Sequence, residues 1–323
     1  MATVLITGAA GFMGSHLVDT MLTDGHTVIG LDNFDPDYGR QIKTRNLTRA
    51  CGHDDFQFIE ADICDRAIIN QIISDVRPDW VLHWAAKAGV RRSMRSPGQY
   101  AAVNVEGTVN LLEAVRKYLP VRMVFASSSS VYGACSCLPF SEQSDTSRPI
   151  SPYAATKVAA EALCHTYHHL YGLPILCMRL FTVYGPRQRP DLAITRFVRL
   201  MSHDRPIPLY GDGTATRDYT HVADVVAAVR AAMAAEFGFD VVNIGSGRAV
   251  SLAALVRMLE HQMGVHANLQ MLPPQPGDMA HTLADINQAR ALLCWEPQMP
   301  LEEGIRSFLD WFAQQPDDGD EEE

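Results

Sequence analysis

The first turn of the chain contains three glycines spaced three residues apart, Gly8, Gly11 and Gly14. A short apolar run, Val4–Ile6, leads into them, and a helical pattern of apolar residues that includes Leu17 follows. Glycine lets a backbone turn sharply and lets a ligand approach closely, while a helix N-terminus offers unpaired N–H groups and the positive end of its dipole. This order of strand, turn and helix predicts a binding site for a pyrophosphate.

A carboxylate stands where a dinucleotide-binding unit has one. The second strand pattern, Thr27–Leu31, ends in Asp32, about 20 residues beyond the turn, where a carboxylate can bind the ribose hydroxyls of adenosine. Asn33 follows instead of a cation for a 2′-phosphate, so the sequence favours NAD over NADP. A third strand pattern, Phe56–Glu60, leads to Asp62, which either accepts from the adenine amino group or is an ordinary loop aspartate.

Composition excludes several classes of protein. The 323 residues are 47% hydrophobic with a net charge of −10, and no basic stripe could neutralise nucleic-acid phosphates. No apolar run approaches the ~18 residues of a membrane span, and a core strand begins too near the N-terminus to leave room for a signal peptide. The seven scattered cysteines are typical of reduced thiols. We expect a cytoplasmic protein that binds neither nucleic acid nor membrane, with a disordered acidic tail over residues 316–323.

Strand and helix patterns alternate through the first 180 residues, and the helical ones include Gln99–Lys117 and Pro152–Tyr171. Such alternation indicates right-handed βαβ units and a parallel sheet. Beyond residue 180, proline, glycine and charged residues interrupt the pattern. The sequence therefore predicts an α/β protein with a Rossmann-type doubly wound parallel sheet over residues 1–180 and a smaller C-terminal α/β substrate lobe over residues 181–315. A strand near 241–244 is expected to return to the sheet.

Two residues suited to acid–base chemistry, Tyr153 and Lys157, lie four positions apart on one face of a predicted helix. An ammonium near a phenol favours the phenolate and lowers the tyrosine pKa from ~10, which makes a general base for a hydroxyl. Alone, the spacing also fits a surface pair. A run of four serines, residues 127–130, follows the strand pattern Arg122–Ala126 and offers a hydroxyl to the reacting oxygen, although it also fits a polar turn. Together, the serine run, Tyr153 and Lys157 predict a catalytic site.

These features resemble one known family. The glycine turn, the serine run, the Tyr153-x-x-x-Lys157 spacing and the segment Arg179–Pro186 are similar to those of the extended short-chain dehydrogenase/reductases, and more narrowly to the nucleotide-sugar epimerase/dehydratase group. The resemblance covers the chain apart from its acidic tail. It implies a tightly held NAD, a UDP-sugar or other nucleotide sugar in the C-terminal lobe, and a homodimer that packs through helices such as 99–117 and 152–171.

The resemblance also implies roles for individual residues. Counting back from Val131 aligns the family's catalytic hydroxyl with Ser128, beside Tyr153 as base and Lys157 as the group that holds the nicotinamide ribose. Implied cofactor contacts are Gly8, Ala10, Gly11, Phe12, Met13, Gly14, Asp32, Asn33, Asp62, Ile63, Ala85, Ala86, Lys87, Asn104, Tyr153 and Lys157. Implied substrate contacts are Arg91, Ser128, Ser129, Thr182, Arg189, Arg217, Gln275 and Asp278. Lys87 departs from the family, in which glutamine is frequent, and its role is left open.

Three stretches indicate which reaction within the family is expected. Residues 86–91, 185–193 and 275–286 resemble the corresponding segments of UDP-glucuronate 4-epimerases. Ser129 and Ser130 stand where related dehydratases and decarboxylases carry acids, which favours simple epimerisation through a transient 4-keto sugar. UDP-glucose or UDP-N-acetylglucosamine 4-epimerisation, UDP-glucuronate decarboxylation and a non-catalytic NAD-binding regulator are the alternatives. The expected chemistry needs no metal, and the histidines near residue 165 are expected on a solvated or dimer-facing surface.

A UDP-glucuronate enzyme needs a group for the sugar carboxylate. Oxidation at C4 places a ketone β to the C5 carboxylate, and such an acid loses carbon dioxide unless the breaking bond is held out of overlap with the carbonyl. A bidentate guanidinium can do this, and Arg189 lies in the matching stretch, although an exposed loop arginine is the alternative. Arg217 is expected to bind the diphosphate, and Thr182 and Ser129 are expected as further substrate contacts. Asp278 is expected to contact the uridine ribose or to order the neighbouring loop.

Overall fold

The computed structural model describes residues 1–37, 39–135, 137–273, 277 and 279–316. Gln275 and Asp278, both predicted to contact substrate, lie outside the described residues, as does the predicted acidic tail apart from residue 316. Within the described ranges, no helix is both long and apolar enough to cross a bilayer.

The described residues form twelve strands, seven of which make a central parallel sheet. In chain order the strands are β1 (Thr3–Thr7), β2 (Thr27–Asp32), β3 (Phe56–Glu60), β4 (Trp80–His83), β5 (Arg122–Ser128), β6 (Ile175–Leu180), β7 (Thr182–Tyr184), β8 (Ile207–Tyr210), β9 (Thr216–His221), β10 (Phe239–Ile244), β11 (Ala249–Ser251) and β12 (Leu269–Leu272). The central sheet has the order β10-β6-β5-β4-β1-β2-β3. This confirms the predicted Rossmann-type sheet. Its order reverses between β1 and β4, and ligands bind at such a switch point.

Helices cover both faces of the central sheet. They are α1 (Phe12–Thr23), α2 (Arg40–Leu47), α3 (Arg66–Val76), α4 (Val90–Arg95), α5 (Pro97–Ala101), α6 (Gly107–Val115), α7 (Pro152–Tyr171), α8 (Ala193–Ser202), α9 (Val222–Ala234), α10 (Leu252–Met263), α11 (Asn287–Leu293) and α12 (Leu301–Phe312). Val4 and Ile6 of β1 share a core with α1 and α9, whereas Leu5 shares a core with α3 and α6. Successive side chains of a strand point to opposite faces, so an all-apolar strand is what a doubly covered sheet requires.

The helix predicted over residues 99–117 is interrupted. A π turn, Ala102–Glu106, separates α5 from α6, and a 3₁₀ turn, Arg116–Tyr118, follows α6. A π turn inserts a residue into the helical repeat and is frequent at functional sites. Here it contains Asn104, which is buried and whose side chain bonds both backbone groups of Lys87. Apolar periodicity does not report such an insertion, which is why the sequence predicts a plain helix.

The C-terminal part of the chain has two small sheets, β11-β9-β7 and β12-β8. Tyr184, Phe197, Leu255 and Phe308 belong to a third core, which these strands share with α8, α10 and α12. The chain returns to the central sheet at β10, which pairs in parallel with β6. The two parts therefore interleave, and a domain division near residue 180 stays a prediction.

Candidate active site

A cavity of about 440 Å³, the central cavity, lies at the C-terminal ends of the middle strands, and the glycine turn forms part of its wall. Gly8 has a φ of +71°, and a Cβ there would lie 2.8 Å from the backbone of Trp84 and Ala85. A Cβ on Gly14 would lie 2.0 Å from the Gly8 carbonyl oxygen. Gly11 caps α1 without a side-chain bond, so the helix N-terminus stays open. The glycines leave a concave backbone surface at the helix N-terminus, which any Cβ would fill. Such a surface can hold a pyrophosphate.

Asp32 ends β2 beside this turn and is buried. Its Oδ2 accepts from the Ala10 N–H at 3.2 Å, and its Oδ1 accepts from the Phe34 N–H at 2.8 Å and from Lys43 Nζ at 3.3 Å. Ala10, predicted to contact the cofactor, is thus a buried support of Asp32. Lys43 is a cation that the sequence analysis missed, because α2 is short and polar and shows no apolar periodicity. Both members of this ion pair are buried.

Asp62 and Asn33 lie together at the expected adenine end of the central cavity. Asn33 Nδ2 donates to Asp62 Oδ2 at 2.9 Å, and the Cys64 N–H donates to Asp62 Oδ1 at 2.8 Å. Burial acts to raise the pKa of Asp62, but these hydrogen bonds outweigh it and hold the pKa below its usual range. Asp62 is therefore a carboxylate at neutral pH and has acceptor capacity for an amino group. Ile63 lines the same wall.

Lys87 joins the loops that follow β2 and β4 across the central cavity. Its backbone is held by Asn104, and its ammonium lies 3.0 Å from Asp35 and 3.2 Å from Asp37. A glutamine at this position would carry no charge to balance two carboxylates. The role that the sequence left open is therefore an ion bridge, and Asn104 acts behind the wall by fixing the backbone of Lys87. Ala85 and Ala86 lie beside it on the wall.

The three predicted catalytic residues meet on the wall of the central cavity. Ser128 ends β5, and its hydroxyl donates to Ser130 Oγ at 3.1 Å and accepts from the Ser130 N–H at 3.1 Å, beside the Tyr153 phenol on the same wall. Tyr153 and Lys157 lie in the first turns of α7, whose N-cap residue Ser151 accepts from the Ala154 N–H at 3.2 Å. The cap fixes where α7 begins and therefore where the tyrosine lies relative to the strand end.

The electrostatics of the catalytic residues differ from the sequence-based expectation. Burial raises the pKa of Tyr153, and the neighbouring Ser128 hydroxyl and the charge of Arg189 act against that rise. Lys157 Nζ instead donates to the Ala126 carbonyl at 2.7 Å, and burial lowers its pKa to about 8. The expectation that Lys157 lowers the tyrosine pKa is therefore wrong for this structure. The cation that acts on the phenol is Arg189, which sequence spacing could not identify.

A second cavity of about 550 Å³, the lobe cavity, opens between α4 and the C-terminal strands. Three predicted substrate residues on its wall are arginines. Arg189 makes a two-bond ion pair with Asp191 at 3.0 and 2.8 Å, Arg91 stacks over the Tyr210 ring at 4.4 Å, and Arg217 donates to the Thr216 carbonyl at 2.9 Å. Thr182 and Arg189 line both this cavity and the central one. Ser129, Thr182 and Arg217 also line a small cavity of about 120 Å³ next to them.

Helix α1 holds the turn that precedes Arg189. His16 Nε2 bonds the Pro186 carbonyl at 2.8 Å, and Arg187 pairs with Asp19 at 2.7 Å. Burial, together with the charge of Arg187, lowers the pKa of His16 to about 4, so the ring is neutral at pH 7 and donates from Nε2. Arg187 keeps a φ of +65°, a conformation unusual for a residue with a side chain. The sequence analysis missed these contacts, because they join residues about 170 positions apart.

No group of three or more His, Cys, Asp and Glu side chains able to hold a metal occurs in the described part of the chain. His165 and His169 stack on α7 with ring centroids 6.4 Å apart.

The fold and the site define the class of protein. A model of the GDP-mannose 4,6 dehydratase family matches residues 5–308, so the chain belongs to this family of extended short-chain dehydrogenase/reductases. Among its relatives, a UDP-glucuronate 4-epimerase of Thermodesulfobacterium geofontis is 38% identical over 312 residues, which cover 96% of either chain. UDP-glucuronate 4-epimerase 4 of Arabidopsis thaliana is 38% identical over 96% of this chain and 75% of that protein.

Solved structures give the same class. The UDP-glucuronic acid 4-epimerase of Bacillus cereus, in complex with UDP-glucuronic acid and NAD, superposes with a TM-score of 0.92 at 37% identity, over 97% of this chain and 99% of that one. The UDP-glucose 4-epimerase of Thermotoga maritima, with UDP-glucose, superposes with a TM-score of 0.90 at 34% identity, over the same shares of the two chains.

Proposed function

We propose that this protein is an NAD-dependent UDP-sugar 4-epimerase that interconverts UDP-glucuronate and UDP-galacturonate. One observation carries the proposal: the central cavity brings Ser128, Tyr153 and Lys157 together with Arg189, a guanidinium suited to the sugar carboxylate. The Bacillus cereus relative, which binds UDP-glucuronic acid and NAD, supports the same substrate and cofactor.

Tyr153 moves the proton. Its phenolate takes the proton of the sugar 4-hydroxyl as C4 becomes a ketone, and the resulting phenol returns it as C4 becomes an alcohol again. Ser128 lies beside the phenol and shares its hydroxyl with the reacting oxygen. Because burial alone disfavours a phenolate, the positive charge of Arg189 has to stabilise it until it takes the proton from the sugar.

The cofactor is held by the residues of the glycine turn, by Asp32 and by Lys157. When bound, NAD supplies a reversible two-electron acceptor for C4, so the reaction needs no net oxidant. Lys157 lies on the central cavity close to Tyr153, where its ammonium can hold a ribose hydroxyl. The bridge from Lys87 to Asp35 and Asp37 ties together two loops on the wall of the same cavity, which favours retention of the cofactor between turnovers.

Arg189 protects the intermediate from losing carbon dioxide. Its planar fork can hold a carboxylate in a fixed orientation, which a single ammonium cannot. Asp191 now occupies two of its N–H groups and keeps the guanidinium oriented toward the shared wall of the two cavities. Neither Ser129 nor Ser130 is an acidic residue. Elimination of water from the sugar therefore lacks a carboxylic acid as proton donor at these positions.

The nucleotide stays bound while the sugar rotates to present its opposite face. Arg91 and Arg217 line the lobe cavity, where charge-assisted bonds can hold a diphosphate. A 4-keto sugar tethered only through that diphosphate can present its opposite face to the catalytic residues. This accounts for inversion at C4 with one set of catalytic groups.

We also propose that the protein is a cytoplasmic homodimer that packs through α5, α6 and α7. Leu170 and Tyr171 are exposed apolar residues at the end of α7, and Leu119 is exposed just beyond α6. The described cysteines are free thiols, which supports a reducing compartment. Sedimentation equilibrium should give about twice the 35.6 kDa chain mass, and a monomer mass would refute the dimer.

The function is tested by incubating the purified protein and NAD with UDP-glucuronate, UDP-glucose and UDP-N-acetylglucosamine, and separating the products by anion-exchange chromatography. We expect UDP-galacturonate from UDP-glucuronate, with a kcat/KM about 10²-fold above that of the neutral sugars, because these lack the carboxylate that Arg189 is proposed to hold. Faster turnover of a neutral sugar would reassign the substrate, and a UDP-pentose product would indicate a decarboxylase. Inertness toward all three would favour the NAD-binding regulator.

A further inference from the structure

The end of β5 is attached to α7 through consecutive residues. The Ala126 carbonyl accepts from Lys157 Nζ at 2.7 Å, and the Ser127 hydroxyl donates to Glu161 Oε1 at 2.5 Å. The next residue, Ser128, lies beside the phenol of Tyr153 on the wall of the central cavity. Because Lys157 and Glu161 lie four positions apart, they share one face of the helix. The strand end that carries the catalytic hydroxyl is therefore fixed to the helix that carries the base at two successive residues.

Glu161 is held from its other side by Arg179 of β6. Arg179 Nε donates to Glu161 Oε1 at 3.0 Å and Nη2 donates to Oε2 at 2.8 Å, and both side chains are less than a tenth exposed. Arg179 Nη1 also donates to the Tyr132 hydroxyl at 3.1 Å, and that hydroxyl donates to Asn243 Oδ1 of β10 at 2.6 Å. The buried pair therefore joins the ends of β5, β6 and β10 directly beneath the catalytic residues.

We propose that Glu161 is a positioning residue, which through Ser127 and Arg179 fixes the end of β5, and with it Ser128, against the helix that carries Tyr153 and Lys157. The proposal rests on the proposed epimerase function for the use made of Lys157, but the geometry beneath the site does not depend on the sugar. No predicted contact with cofactor or substrate involves Glu161, and the catalytic chemistry gives it no direct part. A fully buried ion pair is not needed for stability alone, since apolar replacements of such pairs are often neutral.

Several charged and titratable groups surround Lys157. On α7 these groups are Tyr153, Glu161 and Cys164, on β6 they are Cys177 and Arg179, and on β4 the group is His83. Burial, with the charge of Lys157, lowers the pKa of His83 to about 3, and burial raises that of Cys177, so both are neutral at pH 7. Burial lowers the pKa of Lys157, and Cys164 and then Glu161 act against that effect, Glu161 being the carboxylate of the two.

The test uses the double variant Glu161→Gln/Arg179→Met, which removes both buried charges and leaves neither unpaired. The titration of Lys157 is followed by the pH dependence of its acetylation with acetic anhydride, read by peptide mass spectrometry, because this measurement needs no turnover. We expect the midpoint to fall by about one pH unit, and the alkaline limb of kcat/KM to fall with it. The matched control, Arg290→Met/Glu296→Gln, removes an exposed ion pair and should leave both unchanged.

A milder variant tests the positioning role without touching either charge. Ser127→Ala removes one hydrogen bond to Glu161 and should lower kcat about 10-fold, with KM unchanged. An unshifted Lys157 midpoint in the double variant, or an unchanged kcat in Ser127→Ala, would overturn the inference. Absence of turnover in the wild-type protein would refute the proposed function instead, and the acetylation titration would still decide the relation between Glu161 and Lys157.

Discussion

Tyr153→Phe is expected to reduce turnover of UDP-glucuronate at least about 10³-fold, because the variant keeps the ring and loses the group that moves the proton. Ser128 keeps its bond to the Ser130 N–H, so the strand end should stay in place. NAD content and affinity for UDP should be unchanged, since the glycine turn and the arginines of the lobe cavity are intact. Chromatographic product analysis, with NAD content measured after denaturation, checks both expectations.

Tyr167→Phe provides the matched control for this variant. Tyr167 lies on the same helix, and its hydroxyl donates to Glu113, far along α7 from the catalytic end. Its removal should leave turnover within about 2-fold of the wild-type rate. Residual activity of Tyr153→Phe near the wild-type level would show that another group takes the proton, and the proposed mechanism would have to be abandoned.

Arg189→Lys is expected to lower kcat/KM for UDP-glucuronate about 10²-fold, because an ammonium cannot form the two parallel bonds of a guanidinium. The variant should also release carbon dioxide and form a UDP-pentose, since the carboxylate of the 4-keto intermediate is no longer held in one orientation. Product chromatography and trapping of labelled carbon dioxide from carboxyl-labelled substrate measure the two effects separately. Binding of UDP alone should not change.

Arg199→Lys, on the adjoining helix α8 and outside both cavities, is the control and should behave as the wild-type protein does. If Arg189→Lys lowered the turnover of UDP-glucuronate and UDP-glucose equally, without decarboxylation, the residue would act on something common to both substrates. The proposed carboxylate role would then be wrong, and its effect on Tyr153 would become the better explanation.

The sequence could predict those parts of the site that depend on neighbours along the chain. Gly8 has a positive φ and Gly14 meets the Gly8 carbonyl within the same turn, and Tyr153 and Lys157 share a helix face through their spacing. A parallel sheet follows from alternating patterns for the same local reason. The interruption of the predicted helix at Asn104 shows the limit, because a π turn leaves the apolar pattern almost intact.

Residues that act through pairing were missed for a different reason. Lys43 beside Asp32, His16 beneath Pro186 and Glu161 beneath the catalytic residues each depend on which distant element packs against them. The chain has 27 lysines and arginines and 37 aspartates and glutamates, and composition does not say which of them pair. Only their distances in the folded protein separate a committed ion pair from a solvated side chain.

By itself, the sequence determined the class of fold, the turn at the first helix and the residues proposed for catalysis, because steric limits on the backbone and helical spacing act over a few residues. The tertiary structure alone decided which charge reaches which group. It placed Arg189, rather than Lys157, where its charge acts on the phenol of Tyr153, and it gave Lys87 two carboxylates to bridge. Electrostatic interactions depend on separation in space and on burial, and neither can be read from positions along a chain.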